Sequence, residues 1–390
     1  MFSIYKKDQS NYKITDLSFV ALINDLEHVK ENIYCNNFSP ELFYIELICS
    51  LINNIDVTLY DNKIIEKSHT KIENSITLLD VEDLTARIMN SKSSLTLFTS
   101  GTTGNPKRIK HTVKRFIEMC RVQEDRNIVW ALLYNPSHMA GLQVFFQSFI
   151  NKNKLVYLFE TSKMVLLKAC EAEKITHISA TPTFYRLLAP YDFVVPTIVR
   201  CTLGGEKSDS KLLENLKNVF VNAKMNNIYA STEAGSIFIS KGEFFEVLPK
   251  LKDKVKFVEN EIVLHHTLIG EFDKEKWFYT GDLVEFIDDK KFVIISRKSD
   301  FVNIGGNRVN ILEVEQVIRN LSQVINVSIS TQDNSVLGKI LIANVVLNIE
   351  LTKKEFKNLI KPKLAHYKIP TKINFVEKLK MAKSGKLIRT

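Results

Sequence analysis

Cysteine is scarce and unpatterned. The 390 residues hold five, Cys35, Cys49, Cys120, Cys170 and Cys201, with no Cys-x-x-Cys pair. An odd, scattered set argues against a secreted disulfide framework and for buried free thiols. The eight histidines form no His-x-x-x-His cluster, and His265 and His266 would face opposite sides of a strand, so a transition-metal site is not expected. Long apolar runs are also missing. Residues 19–23 are among the longest, far short of a bilayer span. The opening MFSIYKKDQS has no apolar signal core or small-residue cleavage site, so a cytoplasmic protein without a membrane span is expected. There is no aromatic–basic interleaving of the RNP kind, zinc-finger spacing or helix-turn-helix signature, and nucleic acid is not an expected partner.

What is present is a globular composition, 45% hydrophobic and 25% charged, long enough for two domains with a sizeable core. The net charge of +9 sits almost wholly in the last quarter, where residues 300–390 hold 15 Lys/Arg against 7 Asp/Glu. A basic module of this kind suits a polyanion such as a nucleotide, or an acidic protein partner. A lysine-rich solvated face is the plainer alternative. Periodicity predicts helices near residues 17–33, 40–53 and 81–90, with a strand at 55–60. From 95 to 230, strands near 95–98, 128–134, 154–159, 177–180, 198–203 and 227–230 are separated by helices near 112–124, 139–150, 162–173, 183–188 and 210–220. That alternation implies βαβ units and a largely parallel sheet. Residues 236–296 change to short strands joined by Gly and Asp turns, and a new unit begins after Arg297 with a loop at 303–308, helices near 312–321 and 352–364, and strands at 324–331 and 340–347. The expected fold is α/β, with a large N-terminal domain (1–298) on a mainly parallel sheet and a small α+β C-terminal domain (299–390).

The stretch around which the chain is organised is residues 95–107. Leu95, Leu97 and Phe98 read as a short buried strand that breaks into Thr99-Ser100-Gly101-Thr102-Thr103-Gly104-Asn105-Pro106-Lys107. Two glycines let backbone N–H groups turn inward, four hydroxyls add donors and a lysine supplies a point charge, so the loop could cradle a pyrophosphate. It is not a Walker A loop, because no Gly-Lys-Ser/Thr follows the spacer. Taken alone, a hydroxyl-rich surface turn is the competing reading.

Four further stretches follow in order. Tyr229-Ala230-Ser231-Thr232-Glu233 comes first, then Phe278-Tyr279-Thr280-Gly281-Asp282. Ser296-Arg297-Lys298-Ser299-Asp300 follows with its extension Gly305-Gly306-Asn307-Arg308, and Ser384-Gly385-Lys386 with Arg389 ends the series. With the loop, they resemble the signatures of the adenylate-forming superfamily of acyl-CoA synthetases, aryl-acid ligases, adenylation domains and luciferases. The N-terminal 90 residues are shorter than in most members, a compactness similar to that of the o-succinylbenzoate-CoA ligases.

The resemblance implies ATP, Mg²⁺ and CoA, or the phosphopantetheine of a carrier protein, acting on a small carboxylic acid. Thr99, Ser100, Gly101, Thr102, Thr103, Gly104 and Lys107 would hold the β- and γ-phosphates. Thr232 would contact the α-phosphate, Glu233 would hold Mg²⁺, and Asp282 would accept the ribose hydroxyls, with Arg297 adding a donor. Gly204, Gly205 and Glu206 resemble the segment lying against adenine, and Tyr229, Ala230 and Ser231 are implied to be further nucleotide-binding positions. His138 sits at the family's gating position, with Met139, Gly141 and Thr181 beside the acyl pocket. Met139 stands where amino-acid-activating members carry aspartate, which favours an acid without an α-amino group. Lys386 would bridge the carboxylate and the α-phosphate. The C-terminal domain would then swing about a hinge near Ser299, and Gly305 and Gly306 would line a tunnel for the pantetheine arm.

The implied activity is AMP-forming ligation of an acid to CoA. An alternative is a loader of an acidic acyl carrier protein, and a further one a silent nucleotide- or acyl-adenylate-binding module. The silent reading should show as loss of Lys386, Glu233 or Asp282, and all three are present. The sequence departs from the family at Ala230, Phe278, Ser296 and Asn303, none of which removes a charged catalytic group. It carries no signal for oligomeric state.

Overall fold

The computed structural model describes residues 2–5, 11–14, 16–34, 40–60, 72–99, 107–240, 244–271, 275–380 and 387. Strands Phe2–Tyr5, Val129–Leu132, Lys154–Tyr157, His177–Ala180, Arg200–Gly204 and Lys224–Ser231 run parallel in one eight-stranded sheet. Asn11–Ile14 and Gly235–Ser240 close its two edges antiparallel. Period-two alternation splits each central strand between two cores. Trp130, Leu132, Leu155 and Tyr157 join one core, which also holds Leu142, Phe145 and Phe146 of helix Met139–Ile150. Ala131, Leu133, Val156 and Leu158 join the other, with residues of helices Lys163–Glu173 and Ser210–Val219. Both faces are therefore covered, as a parallel sheet requires. The helices on the second face start at side-chain caps, Ser162 accepting from Val165 N and Asp209 from Leu212 N.

A second sheet of four strands packs Asn32–Tyr34, Val57–Tyr60, Ser94–Thr99 and Lys107–Thr112 side by side. A five-stranded antiparallel sheet holds Phe245–Glu246, Lys291–Arg297, Trp277–Phe286, Glu261–His265 and Val255–Val258. Beyond Arg297, hairpin Phe301–Ile304/Asn307–Asn310 precedes a three-stranded sheet of Val324–Asn334, Gly338–Leu347 and Lys372–Phe375. Helices Ile311–Arg319 and Lys353–Ile360 cover that sheet, and its core draws only on residues 302–375. The two parts touch where Lys211 Nζ donates to Arg319 O at 3.4 Å and Arg319 Nη1 lies 3.9 Å from Asp209 Oδ2.

Three expectations change. The helix foreseen at 17–33 stops at Asn24, and short strands His28–Val29 and Asn32–Tyr34 follow. Tertiary bonds override the periodicity there: Asn24 Nδ2 donates to Leu78 O and Asn24 Oδ1 accepts from Leu78 N, while Asn74 N donates to Glu27 O. The strand foreseen at 95–98 as the first of the alternating series lies in the second sheet, outside the eight-stranded one, and is followed by an unforeseen antiparallel strand, Lys107–Thr112. Helix Val113–Met119 begins only after it, so the loop joins a hairpin of the second sheet. Residues 303–308 form a hairpin turn with Gly305 and Gly306 at φ +53° and +82°, a left-handed pair that glycine adopts at little cost.

Candidate active site

The site gathers where the eight-stranded sheet meets the five-stranded one. Strand Lys224–Ser231 ends in Tyr229-Ala230-Ser231, and the turn through Thr232 and Glu233 reverses it into Gly235–Ser240. Gly235 has φ +68°, and a Cβ there would sit 2.4 Å from Met119 Sδ, so this reversal strongly favours glycine. Ser231 Oγ accepts from Ala234 N at 3.1 Å, and Glu233 is half-buried.

Asp282 follows Gly281, whose φ is +76° and whose N–H donates to Glu261 Oε1 at 2.7 Å. The Asp282 carboxylate is 3% exposed. It accepts from Tyr229 OH at 2.6 Å and from Arg297 Nε at 2.5 Å and Nη2 at 3.1 Å. Asp282 and Arg297 are direct cross-strand partners, which brings the two side chains together. Burial alone would lower the Arg297 pKa, but the charge and hydrogen bonds of Asp282 outweigh it and hold the guanidinium firmly protonated. Burial first, and then the Asp282 charge, push the Tyr229 phenol well up, so it stays a donor. A carboxylate offers about four lone-pair sites. Tyr229 and Arg297 together fill three, and a vicinal diol would share the rest or displace part of the arginine fork.

Gly204 ends strand Arg200–Gly204, with Tyr134 OH 3.7 Å from where its Cβ would lie, and Gly205 has φ +83°. Glu206 Oε2 accepts from Thr183 N at 3.0 Å, while Glu206 Oε1 is buried without a partner among the described residues. Before helix Met139–Ile150, Asn135 Oδ1 accepts from Ser137 N and Oγ at 2.9 and 2.8 Å, and Asn135 O from His138 N at 3.1 Å. His138 is the residue before helix Met139–Ile150, and its side chain makes no capping bond to that helix. A Cβ at Gly141 would lie 2.1 Å from Asn135 O, so this approach also needs glycine. Met139 is 4% exposed and packs into the core against the sheet, and Thr181 Oγ1 is engaged as a helix cap by Phe184 N at 3.1 Å.

The base of the phosphate-type loop belongs to the same neighbourhood. Thr99 and Lys107 pair across the hairpin, and two residues beyond the Ile109 bulk of that strand His111 reaches Thr232 O at 2.7 Å. Ser100, Gly101, Thr102, Thr103, Gly104 and Lys386 lie outside the described residues. Ser299 lies in the short 3-10 turn Lys298–Asp300, where Asp300 accepts from Arg297 N at 2.7 Å. Gly305 N donates to Leu337 O at 3.0 Å in the C-terminal part. Sequence reading missed His111 and Arg115. Burial alternates along Lys107–Thr112, with Ile109 and His111 turned inward, a placement that only the pairing of this strand reveals.

Among the described residues no cluster of three or more His, Cys, Asp or Glu could hold a metal. A lone half-buried Glu233 fits Mg²⁺, which keeps several waters and is commonly held by one or two carboxylates with substrate phosphates. A buried carboxylate at Asp282 fits a nucleoside, and Gly205 takes a left-handed φ of +83° in the chain's nucleotide-type segment. The fold and these donors suit a nucleotide-binding α/β chain.

Comparison with known proteins agrees. Residues 50–258 match the AMP-binding enzyme family and residues 313–386 the AMP-binding enzyme C-terminal domain. The chain belongs to the AMP-binding enzyme family. It is 26% identical over 350 residues to 2-succinylbenzoate–CoA ligase of Staphylococcus epidermidis, covering 81% of this chain and 73% of that one. The Bacillus subtilis 2-succinylbenzoate–CoA ligase is 26% identical over 349 residues, with 79% and 70% covered. Among solved structures, the Bacillus subtilis o-succinylbenzoate CoA synthetase with its acyl-adenylate aligns at a TM-score of 0.70, 19% identity and 99% and 94% coverage. ATP-bound MatB from Rhodopseudomonas palustris aligns at 0.71, 14% identity and 99% and 93% coverage. Among the described residues no helix is long and apolar enough to cross a membrane.

Proposed function

We propose that the chain is an ATP-dependent, AMP-forming ligase that joins a carboxylic acid to CoA, and that the acid is of the 2-succinylbenzoate type. The observation that carries the reading is the convergence of three features at one place: the base of the phosphate-type hairpin, the Thr232–Glu233 turn and the Asp282–Arg297 pair. In the first half-reaction a carboxylate oxygen attacks the α-phosphorus and pyrophosphate leaves. In the second a thiol sulfur attacks the acyl carbon and AMP leaves.

No protein nucleophile is needed, so positioning and counter-charge supply the catalysis. Asp282 accepts the ribose hydroxyls and fixes the nucleoside. Arg297, kept protonated by Asp282, donates beside it. Thr232 binds the α-phosphate and Lys386 neutralises charge gathering between the carboxylate and that phosphate. Glu233 holds Mg²⁺, which when bound offsets the phosphate charge. Residues 1–298 are read as the adenylation domain and 299–390 as a lid that turns near Ser299 and presents Gly305 and Gly306 to the thiol. The separate core at 302–375 supports that division. The basic last quarter suits the phosphates of CoA.

The test is pyrophosphate release with ATP and Mg²⁺ over 2-succinylbenzoate, malonate, fatty and benzoate-type acids, followed by thioester formation with CoA. Release with 2-succinylbenzoate and a CoA thioester is expected. Release with a different acid alone overturns the substrate assignment, and acylation of a holo-carrier protein without a CoA thioester overturns the acceptor.

A further inference from the structure

Three consecutive backbone carbonyls carry the turn that presents Thr232 and Glu233, and a different element supplies the donor to each. His111 Nε2 lies 2.7 Å from Thr232 O. Gly270 N donates to Glu233 O at 2.7 Å, and Arg115 Nη2 donates to Ala234 O at 3.0 Å. His111 comes from strand Lys107–Thr112 at the end of the phosphate-type hairpin, and Arg115 from the helix that follows.

The chemistry of these donors is specific. A carbonyl only accepts, so His111 Nε2 carries the proton and Nδ1 is bare. His111 is 1% exposed and Nδ1 finds no partner among the described residues. Burial, helped by the nearby Arg115 charge, brings its pKa down to about 4, which keeps this neutral form. An imidazole with one unsatisfied buried nitrogen is a poor choice for packing alone, since a leucine would fill the space without that cost. Arg115 is as unusual. Its guanidinium meets four carbonyl oxygens: Thr267 and Ile269 at 3.1 Å through Nη1, and Ala234 and Leu268 through Nη2. It thereby ties the turn to the 267–270 segment. Gly270 fits only as glycine, because a Cβ would stand 2.7 Å from His111 Cε1 and from Ile109 Cγ2.

We propose that His111 and Arg115 are positioning residues for the metal-holding turn, fixing the Thr232 and Ala234 carbonyls so that Glu233 is aimed as a single, preorganised carboxylate. The inference rests on the reading that Glu233 holds Mg²⁺. With no cluster of acidic ligands among the described residues, the affinity of that one carboxylate depends on how rigidly its backbone is held.

The experiment uses the full chain with His111→Leu, which keeps bulk and loses the donor, and His111→Gln, whose amide N–H can replace Nε2–H. Two readouts are taken without turnover: ATP affinity by calorimetry across MgCl₂ concentrations, and hydrogen exchange of backbone amides in 228–236. Losing a partner of this kind weakens a metal site by roughly tenfold or more, so His111→Leu should raise the half-saturating Mg²⁺ by about that factor, with His111→Gln within roughly threefold of wild type. Any loss of ATP affinity without Mg²⁺ should be smaller than the loss with it, and exchange should quicken in 228–236 for His111→Leu alone. Unchanged Mg²⁺ dependence in His111→Leu, or an equal loss of ATP affinity with and without Mg²⁺, overturns the proposal. Failure of the wild-type chain to bind ATP would instead count against the proposed function. Hydrogen exchange would then decide the positioning role, with equal protection in wild type and His111→Leu overturning it.

Discussion

Replacing Asp282 with asparagine separates its structural role from its proposed role toward the nucleotide. The carboxylate is 3% exposed and takes hydrogen bonds from Tyr229 and Arg297 at 2.5 to 3.1 Å. Breaking a fully buried ion pair costs about 3–5 kcal/mol. The Arg297 side chain is 48% exposed, so solvent screens the pair, and a folding cost of about 1–2 kcal/mol is expected for Asp282→Asn. The melting temperature should fall by roughly 2–5 °C. Toward the nucleotide, each hydrogen bond from a ribose hydroxyl to a charged carboxylate is worth about 1.5–3 kcal/mol. Losing the charge should therefore lower kcat/KM for ATP by roughly 10- to 150-fold. The decisive assay compares ATP with 2′-deoxy-ATP in both proteins by pyrophosphate release. Wild type should discriminate against the deoxynucleotide, and in Asp282→Asn that discrimination should shrink to below about threefold. Equal discrimination by the two proteins would refute the ribose assignment, as would a variant within about threefold of wild type on ATP.

Other positions give simpler tests. Gly141→Ala would put a methyl 2.1 Å from Asn135 O, so the loop before helix Met139–Ile150 must move. A loss of about 2–3 kcal/mol in urea unfolding is expected, and a neutral result would contradict the close approach. Asp209 caps helix Ser210–Val219 and pairs with Arg186 at 2.6 Å, both side chains 7% exposed. Asp209→Asn strands a buried guanidinium and should destabilise by about 3–5 kcal/mol at pH 7, as read by chemical unfolding. His177 is 5% exposed, lies against Trp130 with the rings tilted at 51°, and has its pKa brought down to about 4 by burial and then by Arg200, with Asp125 opposing. Its folded pKa lies below the unfolded value, so the unfolded chain takes up the proton first. The stability it contributes is complete above about pH 6.5 and falls as pH drops toward 4, by about 2–3 kcal/mol. His177→Leu should flatten that part of a pH–stability curve, and an unchanged slope between pH 6.5 and 4.5 would contradict this.

The parallel sheet was legible because its strands are short apolar runs separated by helices with clear caps. Lys154–Tyr157, His177–Ala180 and Arg200–Gly204 fall within two residues of expectation. Strand Lys107–Thr112 was hidden because four of its six residues are Lys, Arg or Thr, with only Ile109 and His111 turned inward. Its identity comes from pairing with Ser94–Thr99, a partner on the far side of the loop. The short strands after Asn24 are likewise set by distant partners, His28–Val29 pairing with Ile72–Glu73. On the site, motif order pointed to Asp282 and Arg297, and register explains why they meet. His111 and Arg115 escaped because they act through backbone carbonyls, which leave no pattern in side-chain sequence.

The central claim is that this chain adenylates a carboxylic acid with Lys386 as the counter-charge and passes it to CoA. It is tested most directly by pyrophosphate release from ATP and Mg²⁺ with 2-succinylbenzoate, with and without CoA, in wild type and Lys386→Ala. The account predicts acid-dependent release, a CoA thioester as product, and a fall of roughly 100- to 1,000-fold in the variant, the loss expected for one preorganised charge stabiliser. Release that persists unchanged in Lys386→Ala, or tight ATP binding with no release for any acid, would contradict it.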